Sequence, residues 1–251
     1  MESTNNIKIN NRKSASSITE TLVDIFYPKR CICCNFPVSI GSTVSFCSDC
    51  LKHIPKKSVI YVEPDRHFEM AVCALPYENH IRNAMINYKF NEFRYLSHTF
   101  SSGIRKAVEE IDFSNEYTII CPVPLHPLRE RPYNQSLLIA EELAEYFNLT
   151  LYSDLLLKVK NLTPLSQMGY AMRRASICGA IDFNLKYNID GKKVILVDDI
   201  YTTGSTADEC AKILKIYGAD EVTVFAACYA DQKGDDDGVD ADNLTNQEFW
   251  C

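Results

Sequence analysis

No apolar run in these 251 residues approaches the ~18 to 20 consecutive residues that a membrane-spanning helix needs, so bilayer insertion is not expected. Met1 to Thr19 is polar, rich in Asn and Ser, and lacks the apolar centre of a signal peptide; a cytoplasmic address is the expectation. Internal repeats are missing too. With 46% hydrophobic and 24% charged residues, the composition excludes a disordered or fibrous chain and fits a globular one. Nor is there a consistent charge: the formal net charge is −7, but Asp231 to Asp242 alone holds six Asp against one Lys. That stretch reads as a solvated acidic tail, and the near-neutral remainder speaks neither for nor against nucleic acid. A disulfide framework is also missing. Of eleven cysteines, an odd number, five crowd into positions 31, 33, 34, 47 and 50, while Cys73, Cys121, Cys210 and Cys228 stand singly among apolar or helix-forming neighbours. Such thiols belong to a reduced core in a reducing compartment.

What is present begins with that cluster. Cys31-Ile-Cys-Cys34 and Cys47-Ser-Asp-Cys50 are two C-x-x-C pairs twelve residues apart. Two intervening residues let both sulfurs of a pair face one point, and two such turns make a closed tetrathiolate site for structural Zn²⁺. Cys33 is then a spare thiol, and His53 is near enough to replace a ligand. A redox dithiol is the competing reading.

From His67 onward strands and helices alternate. Strands are predicted over Met70 to Leu75, Thr118 to Val123, Lys193 to Asp198 and Glu221 to Ala227. Helices are predicted over Ile81 to Phe90, Tyr95 to Ile111, Asn134 (as cap) to Phe147, and Thr206 to Tyr217, the last ended by Gly218. Strand, helix and strand at this spacing make βαβ units and hence a parallel sheet, an α/β fold. The expected divisions are 1–27 disordered with a short helix from Ile18 to Phe26, 28–57 a zinc ribbon, 58–230 the α/β domain and 231–251 the acidic tail.

The segment Val194-Ile-Leu-Val-Asp-Asp-Ile-Tyr-Thr-Thr-Gly-Ser-Thr206 carries the chemistry. A buried strand delivers Asp198 and Asp199 to the carboxyl end of the sheet, where ligands of open α/β sheets bind. Thr202, Thr203, Gly204, Ser205 and Thr206 then turn into a helix whose N terminus favours an anion. A phosphate cradle one turn from two carboxylates suits a bipolar ligand such as a sugar phosphate, its hydroxyls on the Asp pair and Mg²⁺ shared with pyrophosphate oxygens.

That segment resembles, position by position, the motif for 5-phosphoribosyl-1-pyrophosphate (PRPP) in type I phosphoribosyltransferases. Over Cys31 to Ala230 the chain is similar to the ComF family of late-competence, amidophosphoribosyltransferase-like proteins. The likeness rests on the cysteine pairs, the PRPP motif, Pro122-Val-Pro-Leu-His126 with Arg129, Arg131 and Asn134-Gln135, and Gln167 followed by Arg173 or Arg174. It implies a type I phosphoribosyltransferase fold with a small N-terminal Cys₄ zinc ribbon, and a role in natural transformation beside single-stranded DNA and a helicase partner. One departure is Arg131-Pro-Tyr-Asn-Gln135 where the family shows Arg-Gly-Phe-Asn-Gln; Pro132 locks φ and removes a donor at a turn that would face pyrophosphate. Acceptor contacts would come from a variable hood, here the segment between the ribbon and Tyr95.

The resemblance implies a Mg²⁺-dependent transferase in which Asp198 and Asp199 hold the ribose and offset its developing positive charge. Thr202 to Thr206 anchor the 5-phosphate, Arg129 with Arg173 steadies the leaving pyrophosphate, and Arg131, Gln167 and Arg174 join in binding the substrate. Asn161 to Ala175 has no apolar period and reads as a loop, a candidate lid carrying Arg173. Arg129 and Arg131 could instead be solvated or pair with Glu130, and Lys89 and Arg82 could serve either a ligand or a solvated face. A different class of function is an accessory protein without turnover that binds single strands through Tyr170, Arg173, Arg174 and Lys192. A third is a zinc-stapled regulator whose pocket senses a nucleotide.

Overall fold

A computed structural model describes residues 30–38, 45–53, 58–62, 64–91, 93–111, 113, 116–125, 131–159 and 180–230. His126, Arg129, Glu130, Gln167, Tyr170, Arg173, Arg174, the N-terminal segment and the acidic tail lie outside these residues, as does the candidate lid.

Two long strands form the centre, β7 (Lys193–Tyr201) and β8 (Glu221–Tyr229). Val194 to Val197 and Val222 to Cys228 are buried, because helices or short strands cover both faces; both sequences are therefore continuous apolar runs without alternation. Around them stand β2 (Met70–Pro76), β3 (Ile119–Pro122), β4 (Thr150–Leu151) and β1 (Val59–Tyr61) in the order β1-β2-β8-β7-β3-β4. All pairings are parallel except that of β1, an antiparallel edge. Among the described residues no helix is long and apolar enough to cross a membrane.

Helices α2 (Asn79–Phe90), α3 (Ser97–Glu109) and α4 (Gln135–Phe147) cover one face, packing Met85, Tyr88, Phe100, Ile104, Ile139 and Leu143 onto Val72, Ile120, Ile195 and Phe225. On the other face α5 (Ser205–Ile216) sets Ala207, Cys210, Ala211 and Leu214 against Ala71, Cys121, Val194 and Leu196. It is joined there by the antiparallel pair β5 (Leu156–Lys158) and β6 (Ile181–Phe183). Asn134 caps α4 through Oδ1, which accepts from Ser136 N at 3.0 Å, and Asn148 ends it in the left-handed conformation at φ 56°. Gly218 ends α5 at φ 96°; a Cβ there would lie 2.7 Å from Asp190 Oδ1. Cys73, Cys121, Cys210 and Cys228 are fully buried among these layers.

Two expectations change in detail. The strand read as ending at Asp198 runs on to Tyr201, because Tyr201 pairs with Tyr229 and its carbonyl accepts from Ala230 N at 2.9 Å. Of the segment expected as the hood, β1 and β2 join the main sheet, and α2 starts just past the carboxyl end of β2 and brings Lys89 to Asp199. Three contacts fix the far end of α2 to the start of α4: Tyr88 Oη donates to Gln135 O at 2.9 Å, Gln135 Nε2 donates to Lys89 O at 3.2 Å, and the Tyr133 hydroxyl donates to Tyr88 O.

Candidate functional site

The connections decide where a ligand can sit. From β3 the chain crosses by α4 to β4 on one side; from β7 it crosses by α5 to β8 on the other. The sheet's direction of winding therefore reverses between β3 and β7, and a crevice opens beyond their carboxyl ends. Asp198 and Asp199 rise from one wall of it and Arg131 from the other.

Consecutive residues on a strand point to opposite faces, so the two carboxylates have different surroundings. Asp199 Oδ2 lies 2.8 Å from Lys89 Nζ and 3.7 Å from an Arg131 amino nitrogen, and all three side chains are largely buried. The Arg131 guanidinium also donates to Gln135 Oε1 at 3.1 Å and covers the Phe90 ring at 5.4 Å. Arg131 is thus neither solvated nor turned outward, and Lys89 is committed to the crevice. Asp198 Oδ1 accepts from Asp199 N at 2.8 Å. Burial, then the Asp199 carboxylate, push the Asp198 carboxyl up to about 7, against the opposing pull of Lys89 and Lys158. Lys158, whose charge reaches Asp198, ends β5, and Val159 N beside it donates to Ala180 O at 2.9 Å.

The turn after β7 is shaped for close approach of a ligand to backbone. Gly204 has φ 69°, and a Cβ would come within 2.4 Å of the Tyr201 hydroxyl, so no other residue fits without displacing that ring. Tyr201 is itself clamped, stacked on Tyr61 at 4.8 Å and edge-on to Phe68 at 6.4 Å. Thr203 Oγ1 and Ser205 Oγ are 2.8 Å apart. Behind the turn, Arg66 donates to Thr203 O at 2.7 Å and lies 3.8 Å from Asp208 Oδ2, while His67 N donates to Asp208 Oδ1 at 2.8 Å. Because a trans peptide is planar, drawing the Thr203 carbonyl backward turns the Gly204 N–H the opposite way. Backbone donors, the helix N terminus and hydroxyls are what a phosphate monoester needs. Arg66 was not anticipated from sequence; only its distance from the turn along the chain hid it.

Elsewhere, the sulfurs of Cys31, Cys34, Cys47 and Cys50 all lie within 4.8 Å of one another, with Cys34 and Cys47 at 3.7 Å. Zn–S bonds of about 2.3 Å in a tetrahedron place sulfurs roughly 3.8 Å apart, so the cluster fits a structural zinc ion. Burial opposes ionisation of Cys31, but backbone N–H groups of Cys47, Cys34 and Cys33 outweigh it and bring the thiol down to about 6. Cys33 is outside the cluster; its side chain packs on the main core, and burial pushes it up to about 11. Phe46 enters the same core, and Ser45 N donates to Thr99 Oγ1 on α3 at 2.9 Å, so the ribbon is seated on the domain. The helix α1 (Ser48–His53) carries the last ligand.

Of the residues grouped as a surface for single strands, Tyr170, Arg173 and Arg174 lie outside the described residues and Lys192 is described. Lys192 precedes β7 and is exposed at its amino end, the edge of the sheet opposite Asp198. Six residues of strand, ~20 Å, separate it from Asp198.

Residues 132–250 match the family described as the phosphoribosyl transferase domain. Competence protein F of Haemophilus influenzae is 26% identical over 195 residues, covering 73% of this chain and 78% of that protein. Competence protein ComFC of Streptococcus pneumoniae is 31% identical over 153 residues, 60% of this chain and 64% of its own. DNA utilization protein YhgH of Salmonella typhi is 32% identical over 111 residues, 43% of this chain and 48% of that protein, so the match spans about half its length. The chain is thus similar to competence and DNA-utilization proteins, its residues 132–250 match a phosphoribosyl transferase domain within an α/β sheet, and a four-cysteine motif precedes them.

Proposed function

We propose that the chain is a PRPP-binding, phosphoribosyltransferase-like protein of the ComF type that acts in DNA uptake and transfers phosphoribosyl with release of pyrophosphate. The observation that carries this is the crevice at the reversal of the sheet. There Asp199, paired with Lys89 and Arg131, and the buried Asp198 stand together near the end of β7, and the glycine turn that follows can take a phosphate at the start of α5. Thr202, Thr203, Gly204, Ser205 and Thr206 bind the 5-phosphate, and Asp198 and Asp199 bind the ribose hydroxyls. Mg²⁺ fits the same hard carboxylate oxygens and would neutralise the diphosphate. As the C1–O bond breaks, positive charge grows on the ribose beside the Asp pair. Arg131, with Arg129, Gln167, Arg173 and Arg174, takes the leaving pyrophosphate through charge-assisted hydrogen bonds. The Cys₄ cluster holds one Zn²⁺ that shapes the ribbon and takes no part in chemistry. Calorimetry with Mg-PRPP, followed by pyrophosphate release against a panel of nucleobase and amine acceptors, tests this; a folded, zinc-loaded protein that ignores Mg-PRPP would overturn it.

A second reading, an accessory protein that binds single-stranded DNA beside a helicase without turnover, has its own support. Phe90, Phe93 and Tyr95 are exposed next to the crevice, Phe93 and Tyr95 are stacked at 5.6 Å, and Arg94 covers Tyr133 at 4.8 Å. Exposed rings interleaved with arginines stack bases without regard to sequence. Salt-sensitive binding of an oligonucleotide, weakened by Phe93→Ala and with no pyrophosphate released from PRPP, would favour it.

A further inference from the structure

Asp199 meets two cations in a construction that α2 and α4 build together. Lys89 Nζ and Arg131 approach the same oxygen, Oδ2, at 2.8 and 3.7 Å. Their side-chain exposures are 13% for Lys89 and 14% for Arg131, and that of Asp199 is 14%, so water screens the cluster weakly. One buried glutamine holds both cations in place: Gln135 Nε2 donates to the Lys89 carbonyl at 3.2 Å, and its Oε1 accepts from Arg131 at 3.1 Å. Asp198 feels both Asp199 and Lys89, and its carboxyl is raised to about 7, so at and below neutral pH the two cations still outweigh the charge of the two carboxyls. A divalent cation approaching Asp199 is therefore repelled, while a diphosphate is attracted.

We propose that Lys89, with Arg131, keeps Asp199 closed to a divalent cation until a diphosphate-bearing ligand draws the two cations onto itself. Metal and polyanion then enter the crevice together, and neither site is complete alone. This rests on the reading of the carboxylate pair given above, but it concerns the free protein and can be tested without PRPP. Coupling of this kind is reciprocal: whatever factor pyrophosphate adds to metal affinity, the metal adds to pyrophosphate affinity.

Mn²⁺ serves as the probe, followed by electron paramagnetic resonance on the full, zinc-loaded chain. Wild type is expected to bind free Mn²⁺ at least tenfold more weakly than Lys89→Met, and Lys89→Arg to behave as wild type. Adding Asp199→Asn to Lys89→Met removes the gain, and inorganic pyrophosphate strengthens Mn²⁺ binding by wild type more than by Lys89→Met. A folded Lys89→Met protein that binds Mn²⁺ no better than wild type overturns the proposal. Should that variant unfold, Arg131→Met is read in the same way, with the same gain expected and the same failure decisive. A wild type that ignores PRPP while Lys89→Met still gains Mn²⁺ through Asp199 would sink the transferase reading and leave this one standing.

Discussion

Removing charge from the carboxylate pair without changing its shape isolates what it contributes. Asp198→Asn with Asp199→Asn is expected to weaken Mg-PRPP binding at least tenfold, about 1.4 kcal/mol, as read by calorimetry on the folded variant. Asp198 adds a pH signature. Burial and Asp199 raise its carboxyl to about 7, so the folded protein favours the neutral acid. That contribution to stability is complete below the unfolded carboxyl's pKa of ~3.9 and is lost as pH rises through about 7. Asp198→Asn should accordingly raise the melting temperature more at pH 8 than at pH 5, while wild-type Mg-PRPP affinity falls as the carboxylate is protonated below about pH 7. Equal effects at both pH values would place the perturbed group elsewhere. At this scale the acidic pair and Gly204 were legible, because an apolar run ending in two Asp and a Thr-Thr-Gly turn has few other uses. The sequence reading leaves Lys89 open between a ligand and a solvated face, although a signal for the inward choice exists: Ile81 and Met85 are buried on α2, and Lys89 continues their i, i+4 row toward the core. A cation on a buried row needs an anion, but which one depends on how α2 crosses the sheet.

Elements were read from the sequence in proportion to their length. Both nine-residue strands, the two seven- and four-residue strands beside them and the four long helices carry enough periodicity or continuous apolarity to be seen. The strands β1, β4, β5 and β6 have three residues or fewer, too short for any period to register, and exist because neighbouring backbone offers them partners. The turn before α5 shows how one element depends on another distant in sequence. Arg66, in the approach to β2, draws back the Thr203 carbonyl. Arg66→Met should weaken binding of ribose 5-phosphate by about tenfold, consistent with the roughly 1.5–3 kcal/mol of a hydrogen bond to a charged group. Arg66→Lys, which keeps the charge and one donor, should recover part of that loss. Equal phosphate affinity in all three proteins, measured by calorimetry, would show that the turn holds its shape unaided.

In the whole molecule the ribbon and the domain share one core, since Phe46 packs with the residues of α3 and β2. Changing Cys31 and Cys34 to Ser should therefore abolish bound zinc and also lower the melting temperature of the domain, by roughly 5–10 °C for a loss of about 2–3 kcal/mol. Metal analysis and a thermal melt check both halves of that statement, and zinc loss without any thermal shift would mean that the ribbon is only tethered. The order of strands has a consequence for how the protein is made. β2 lies beside β8, with Met70 opposite Thr223, so one of the first strands to leave the ribosome has its main partner in one of the last. At ~5–20 residues per second, β2 waits on the order of ten seconds with an apolar face and the Cys73 thiol unprotected on that side. Its other edge is shielded meanwhile by β1, formed from residues synthesised just before it. A message that ends before Glu221 should thus yield no partly active fragment, only a nascent sheet with open edges on β2 and β7, and expression of such a truncation should give insoluble or rapidly degraded chains.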